Sequence, residues 1–242
     1  MLLSPSVEMF SAWKRQTSFG TCSERKKLLI SWSKIMGIQN TSNLPKNSFS
    51  PPVCWQDDVE RVLITEEQIA ERVRSLSAEL ARDFAGRELV VVAVLNGTVM
   101  FLADLIRYLS LPLRLDFIGI SSYGLGTESG EMIFTKELRV DVRGRDVLLV
   151  DDILDTGRTL SRVLAKLHEL KPLRIKTCVL LEKAARRVEN VYADYVGFSI
   201  PDLFVVGYGL DFAERYRNLP FVGVLHPEIY RGQSKIEVIS NH

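Results

Sequence analysis

Residues 147–160 constrain the fold most, because they predict a buried β-strand that leads directly into a helix. Residues 147–150 are an unbroken run of branched aliphatic side chains, which is typical of a strand covered on both faces. The apolar residues that follow recur at helical spacing. The loop between the two elements is predicted to carry three carboxylates, two threonine hydroxyls and one glycine: Asp151, Asp152, Asp155, Thr156, Thr159 and Gly157.

The chemistry of this loop favours phosphate binding. Gly157 lets backbone N–H groups approach an anion closely, and Thr156 and Thr159 offer hydroxyl donors. The first N–H groups of the helix add partial positive charge. Asp151 and Asp152 repel phosphate, so they fit ribose hydroxyls or a divalent cation beside it. The alternative is an ordinary strand, turn and helix in which the aspartates and threonines are turn and cap residues.

The rest of the chain alternates between strand and helix patterns. Thr65 followed by Gln68 is a capping-box pattern that begins a helix, and Gly86 ends it. The other predicted elements are strands at 89–95, 113–120, 175–181, 195–200 and 204–207, a helix after Thr98, and a glycine-rich loop at 121–131. This order predicts an α/β domain with a parallel sheet and ligands at its carboxyl edge.

Residues 1–57 differ in composition from the rest and are predicted to be an N-terminal extension of a domain that spans 58–242. They contain ten serines, seven Lys or Arg and only three acidic residues. We expect a disordered tail, or residues translated from upstream of the true start. An organelle transit peptide is the alternative, but Glu8, Glu24 and the lack of an arginine-rich amphipathic start disfavour it.

Charge, cysteines and hydropathy exclude several classes of protein. The chain has a net charge of +1, and the excess of four basic residues in 1–57 leaves −3 for the remainder, which argues against a nucleic-acid-binding domain. The three cysteines lack CxxC spacing, so neither a disulfide framework nor a zinc site is indicated. No run reaches about 18 apolar residues, so we predict no membrane span and expect a reducing, cytoplasmic setting.

The acidic pair followed by Asp155-Thr156-Gly157-Arg158-Thr159 resembles the phosphoribosyl pyrophosphate (PRPP) loop of type I phosphoribosyltransferases. Other motifs between residues 59 and 229 match the hypoxanthine-guanine branch of that family in the same order. The resemblance implies a central, mostly parallel sheet flanked by helices, with a small hood subdomain. It also implies transfer of a phosphoribosyl group from PRPP to N9 of a 6-oxopurine base, with Mg²⁺, in a homodimer or homotetramer.

The resemblance assigns roles to the residues of the central loop. Asp155 is implied to be the catalytic residue that accepts the purine proton at N7. Asp151 and Asp152 are implied to hold the ribose hydroxyls and Mg²⁺, and Asp211 to contact Mg²⁺ through coordinated water. The 5-phosphate is assigned to Thr156, Gly157, Arg158 and Thr159.

Pyrophosphate binding is assigned to two further motifs. Asn96 and Gly97 lie where the family has a loop with a non-proline cis peptide, and Asn96 stands where some members carry Lys. This substitution leaves the role there to backbone atoms and an uncharged amide. Arg217 matches an arginine that binds the leaving pyrophosphate, and Arg187 is a further candidate.

Purine binding and site closure are assigned to the remaining motifs. Lys183 is implied to contact the 6-oxo group of the purine, Phe204 to stack on its ring, and Val205 to read its edge through backbone groups. Ser122 and Tyr123 resemble the start of a lid loop that closes over the substrates.

Two other functions stay open at this stage. One is a phosphoribosyltransferase that prefers xanthine. The other is a regulator that senses PRPP and binds nucleic acid, which the charge of −3 outside residues 1–57 disfavours.

Overall fold

The computed structural model describes residues 55, 57–123 and 131–230, which form two β-sheets and the helices that pack on them. The strands are β1 (Val59–Ile64), β2 (Leu89–Leu95), β3 (Leu113–Tyr123), β4 (Glu131–Lys136), β5 (Asp146–Leu154), β6 (Arg174–Glu182), β7 (Tyr195–Ser199), β8 (Val205–Val206) and β9 (Val222–Leu225). The helices are α1 (Glu66–Asp83), α2 (Val99–Tyr108) and α3 (Arg158–Glu169), with a 3-10 helix at Ala184–Arg186.

The larger sheet has six strands in the order β4-β3-β2-β5-β6-β7. All neighbouring pairs are parallel except β3 with β4, which is antiparallel. The prediction of a mostly parallel α/β sheet is therefore confirmed. The carboxyl ends of β2, β5 and β6 meet at one edge, as ligand-binding α/β sheets require.

The two faces of this sheet are covered by different helices. In β5, Leu148 and Val150 point into the core that contains α1 and α2, whereas Val147 and Leu149 point into the core that contains α3. All four side chains are fully buried. Alternation in side-chain direction thus explains why the run is apolar at every position.

Helix α1 begins as the capping box predicts. The Thr65 hydroxyl accepts a hydrogen bond from the Gln68 backbone N–H at 3.3 Å, and the Gln68 side chain accepts one from the Thr65 backbone at 2.9 Å. The helix ends at Asp83. None of the helices within the described ranges is long and apolar enough to span a membrane.

Strand β5 is longer than predicted, because it continues beyond the aliphatic run to Leu154. Asp151 pairs in register with Val179 of β6, so the parallel ladder supplies backbone hydrogen bonds past residue 150. The prediction that Asp151 and Asp152 belong to the loop is therefore wrong. That loop contains only residues 155–157.

Strand β4 was not predicted. The sequence predicted a loop over 121–131, but β3 extends to Tyr123 and pairs with β4, with Tyr123 opposite Glu131. Residues 124–130, which hold the three glycines of the predicted lid loop, lie outside the described residues.

A second, antiparallel sheet has the order β1-β9-β8 and corresponds to the small subdomain predicted. Residues 1–54, most of the predicted extension, lie outside the described residues, so the boundary at 57 stays a prediction. Trp55 lies before that boundary and packs its ring against Tyr216, with centroids 5.2 Å apart.

Candidate active site

Four segments meet at the carboxyl edge of the larger sheet. Residues 96–98 follow β2, residues 155–157 follow β5, and Lys183 follows β6. The fourth segment, 207–217, follows β8 of the smaller sheet and reaches the first through Gly209. The motifs that the sequence predicted separately are therefore brought to one edge.

Gly97 lies directly against the acidic pair. A Cβ atom on Gly97 would be 1.6 Å from Asp152 Oδ2, so only glycine fits beside this carboxylate. The peptide bond from Leu95 to Asn96 is cis, as the family resemblance implied. Thr98, which is buried, lies with its hydroxyl 3.5 Å from Asp151 Oδ1. The predicted pyrophosphate loop thus adjoins the predicted ribose site.

Asp151, which is buried, and Asp152, which is partly buried, form a pair of like charges. Burial raises the pKa of both carboxyl groups, and the Asp152 charge raises that of Asp151 further. Within the described ranges, neither carboxylate forms an ion pair with a lysine or arginine. The pair is therefore suited to a cation or to hydroxyl donors that arrive with a substrate.

These carboxylates fit Mg²⁺ in one particular way. No group of three or more His, Cys, Asp or Glu within the described part of the chain could hold a metal ion by itself. Mg²⁺ is commonly bound by one or two carboxylates together with substrate phosphates and water. Asp151 and Asp152 match that donor set, and Asp211 belongs to the neighbouring segment 207–217.

Segment 207–217 packs against the predicted pyrophosphate loop. Gly209 has φ +101°, and a Cβ atom on it would be 1.9 Å from the Gly97 carbonyl oxygen. Arg217 donates to the Gly209 carbonyl at 2.9 Å and pairs with Asp211 at 2.9 Å. The Tyr208 hydroxyl donates to Asp104 of α2 at 2.8 Å. These contacts place Arg217 and Asp211 beside the cis peptide.

The N-terminus of α3 is open to an anion. Its first residue follows Gly157, which has φ +86° and makes no side-chain capping hydrogen bond. A Cβ atom on Gly157 would be 2.8 Å from Val191, so this position also favours glycine on steric grounds. The Arg158 N–H donates to the Thr156 hydroxyl at 3.5 Å, and the other N–H groups of the first turn, together with the helix dipole, favour binding of a phosphate. Thr156, Arg158 and Thr159 border this position as predicted.

Arg187 binds the backbone of the loop 155–157. Its guanidinium donates to the Asp155 carbonyl at 3.3 Å, to Glu182 at 2.9 Å and to the Val191 carbonyl. The side chain is 14% exposed. Because its Nε, Nη1 and Nη2 atoms all donate within the chain, the structure favours a positioning role for Arg187 over pyrophosphate binding.

Asp155, the first residue after β5, and Lys183, the first residue after β6, are the predicted contacts to the purine. Asp155 Oδ1 is buried and has no hydrogen-bond partner within the described residues, whereas Oδ2 pairs with Arg186 at 3.3 Å. Lys183 is 5% exposed, and its ammonium lies 3.7 Å from Asp202. A lysine at a strand end is ordinarily solvated, so its burial supports the predicted role.

Phe204 lies at the rim of the site and is 36% exposed. Tyr230 stacks on it, with ring centroids 4.6 Å apart and an angle of 14°. Tyr230 packs against the cluster that holds Val206, whereas Val205 points into the core shared with α1 and α2. The exposed ring of Phe204 and the buried side chain of Val205 thus lie at adjacent positions, and their roles in stacking and edge contact stay predictions.

Several residues around the site were not predicted. The sequence assigned no role to Arg186, Asp202, Tyr230 or Asp104, because each acts on a partner that is remote in the chain or lies across a turn. The adjacent basic pair at 186 and 187 was the only local indication. Ser122 and Tyr123 end β3, and the rest of the predicted lid lies outside the described residues.

The chain is similar to a known protein family and to proteins of known structure. A family model described as the phosphoribosyl transferase domain matches residues 63–213. That range includes every predicted site residue except Arg217. A bifunctional TilS/HprT protein from Listeria monocytogenes is 48% identical over 194 residues, covering 80% of this chain and 29% of the relative. This chain therefore spans less than a third of that protein's length.

Two further relatives match over nearly their whole length. A hypoxanthine-guanine phosphoribosyltransferase from Bacillus subtilis is 47% identical over 174 residues, covering 72% of this chain and 97% of the relative. The crystal structure of a hypoxanthine phosphoribosyltransferase from Staphylococcus aureus matches with a TM-score of 0.72 and 43% identity, covering 75% of this chain and 99% of that structure.

Proposed function

Because this chain belongs to the phosphoribosyl transferase family, we propose that it transfers the 5-phosphoribosyl group from PRPP to N9 of hypoxanthine or guanine. The products are the nucleotide and pyrophosphate, as in purine salvage. One observation carries the proposal: the carboxylates of Asp151 and Asp152, the N-terminus of α3 and the buried Lys183 meet at one sheet edge. A sugar phosphate and a 6-oxopurine together require all three.

PRPP is proposed to bind across the end of β5. Its 5-phosphate accepts hydrogen bonds from the first turn of α3 and from the hydroxyls of Thr156 and Thr159. Its ribose hydroxyls donate to Asp151 and Asp152. Its pyrophosphate lies against residues 96–97 and Arg217, whose planar guanidinium is suited to bidentate contact with phosphate.

The purine is proposed to lie between Phe204 and the end of β5. Lys183 donates to the 6-oxo group, which selects against adenine because an amino group at that position is itself a donor and offers the buried ammonium no acceptor on the purine. Val205 reads the opposite edge through its backbone groups. Phe204 gains from stacking on a flat heterocycle.

Mg²⁺ is proposed as the cofactor, held by Asp151 and Asp152 with a water-mediated contact from Asp211. Bound there, it supplies charge neutralisation for the departing pyrophosphate. Arg217 and the backbone N–H groups near Gly97 contribute to the same neutralisation through direct contacts.

Asp155 is proposed to control the purine proton. As the C1–O bond to pyrophosphate breaks, the sugar develops oxocarbenium character, and N9 forms the new bond to C1. The buried Oδ1 of Asp155 accepts the proton from N7, so the electron pair of that N–H bond stays in the ring. A general base of this kind contributes about 100- to 10,000-fold to the rate.

The direct test is pyrophosphate release with hypoxanthine, guanine, xanthine and adenine, for the parent and for Asp155→Asn. We expect the two 6-oxopurines that lack a 2-oxo group to be the best substrates of the parent. The variant should lose at least about 100-fold in kcat, the lower end of a general-base contribution. Turnover within about threefold of the parent would refute the role of Asp155.

The same assay separates the alternatives. Xanthine as the best substrate would establish the xanthine-preferring reading, and adenine as the best would overturn the role of Lys183. Salt-dependent nucleic-acid binding without any purine turnover would establish a regulator.

A homodimer or homotetramer in the cytoplasm is proposed from the family, and light scattering of the purified chain tests the assembly.

A further inference from the structure

Four charged residues form a chain of alternating sign along the purine side of the site. Asp155 Oδ2 lies 3.3 Å from Arg186, Arg186 lies 3.8 Å from Asp202, and Asp202 lies 3.7 Å from the Lys183 ammonium. At its two ends are the acceptor and the donor proposed to contact the purine. Within the described residues, Lys183 and Asp155 form no ion pair with each other.

The turn after β6 brings Lys183 and Arg186 to the same carboxylate, that of Asp202. Lys183 is the N-cap of the 3-10 helix Ala184–Arg186, so Arg186 follows it by three positions. The Lys183 ammonium and the Arg186 guanidinium both lie within 4 Å of the same Asp202 oxygen, Oδ1. The tight turn after β6 therefore creates the arrangement.

The two oxygens of Asp155 are in different environments. Oδ2 faces Arg186, whose side chain is 49% exposed, whereas Oδ1 is buried without a partner among the described residues. An ion pair on one oxygen fixes the rotation of a carboxylate and directs the other oxygen. Here the directed oxygen is the one that the purine N–H requires.

We propose that Arg186 and Asp202 are positioning residues that keep Asp155 and Lys183 apart and oriented for a 6-oxopurine. This inference rests on the proposed function. Without intermediate charges, an acceptor and a donor on adjacent segments pair directly and close the space that the base needs. Arg186 gives Asp155 its own counter-ion, and Asp202 does the same for Lys183. Neither Arg186 nor Asp202 touches the reacting atoms.

The first test removes the charge of Arg186 and retains its length. Arg186→Met should lower kcat with hypoxanthine by about three- to fivefold, the range expected for a half-exposed ion pair, with the KM for PRPP within about twofold. Arg186→Lys should recover most of the loss. Lys166→Met is the matched control, because Lys166 forms a similar pair at 3.6 Å with Glu137, away from the site, and should leave kcat unchanged.

A double-mutant cycle separates positioning from simple structural support. If Arg186 acts through Asp155, Arg186→Met should have almost no further effect in the Asp155→Asn background. Effects that multiply would show that Arg186 acts elsewhere, as would equal increases in the KM values for PRPP and purine. Either result overturns the proposal, and so does an Arg186→Met variant as active as the parent.

The role of Asp202 is tested through the KM for hypoxanthine. Asp202→Asn should raise the KM for hypoxanthine by about three- to fivefold, because Lys183 loses the group that holds it away from Asp155. The KM for PRPP should stay within about twofold. An unchanged or lower KM for hypoxanthine would overturn the role of Asp202. A parent enzyme without turnover on any purine would instead refute the proposed function itself, and this inference with it.

Discussion

Gly209 makes the contact between residues 96–98, the proposed pyrophosphate loop, and segment 207–217, and replacing it by alanine should separate the two. The Cβ atom of Gly209→Ala would lie 1.9 Å from the Gly97 carbonyl oxygen, and real Cβ contacts are essentially never below 3.0 Å. The two backbones must therefore move apart by about 1.1 Å. Because Arg217 donates to the Gly209 carbonyl, its guanidinium should move with the loop.

A displacement of this size at a substrate-positioning segment costs on the order of 100-fold in rate. We therefore expect Gly209→Ala to lose about 100-fold in kcat/KM for PRPP, since Arg217 and Asp211 both depend on this loop. The KM for hypoxanthine should change much less, because Lys183 lies on another segment. Steady-state pyrophosphate release with each substrate varied in turn measures both quantities.

Gly144→Ala is the matched control. Gly144 also has a positive φ, +66°, but a Cβ atom there would meet no atom of the described part of the chain within 4 Å. Both variants carry a left-handed backbone penalty of about 1 to 2 kcal/mol, so both should be less stable to heat. Only Gly209→Ala should lose activity. If its kcat/KM for PRPP lies within about threefold of that of Gly144→Ala, the close approach does not position the pyrophosphate site.

Three other outcomes follow from the structure. Tyr230→Leu should raise the KM for hypoxanthine by about two- to tenfold, the value of an aromatic pair, because it removes the ring that stacks on Phe204. A lower KM in this variant would mean that Tyr230 competes with the purine. Burial alone would raise the pKa of Asp116, but hydrogen bonds from Lys136 and the backbone of Val140 hold it well below its usual range. The stability that this provides is present above the unfolded pKa of about 3.9 and is lost as the pH falls, so Asp116→Asn should flatten the pH dependence of Tm below about pH 4. A chelator should abolish turnover and added Mg²⁺ restore it, and full activity in chelator would contradict the metal role of Asp151.

The larger sheet was predictable because its strands are covered on both faces. A run such as 147–150 must be apolar at every position when helices pack on both sides, and this pattern can be read without knowing the partners. Strand β4 was missed because it lies at the sheet edge beside a glycine-rich segment, where Ile133 is 45% exposed and the pattern is weak. The small sheet was only partly predicted, since β1 and β9 pair across most of the domain.

The sequence by itself determined the chemistry available at the site. The acidic pair, the Thr156-Gly157 turn and the helix after it are contiguous, and their roles depend on local backbone geometry and residue type. Tertiary structure alone decided which oxygen of Asp155 is buried without a partner among the described residues, that Gly209 abuts Gly97, and that Arg186 lies between two carboxylates. The physical reason is that burial and charge pairing depend on distances between segments that only the folded sheet brings to a common edge.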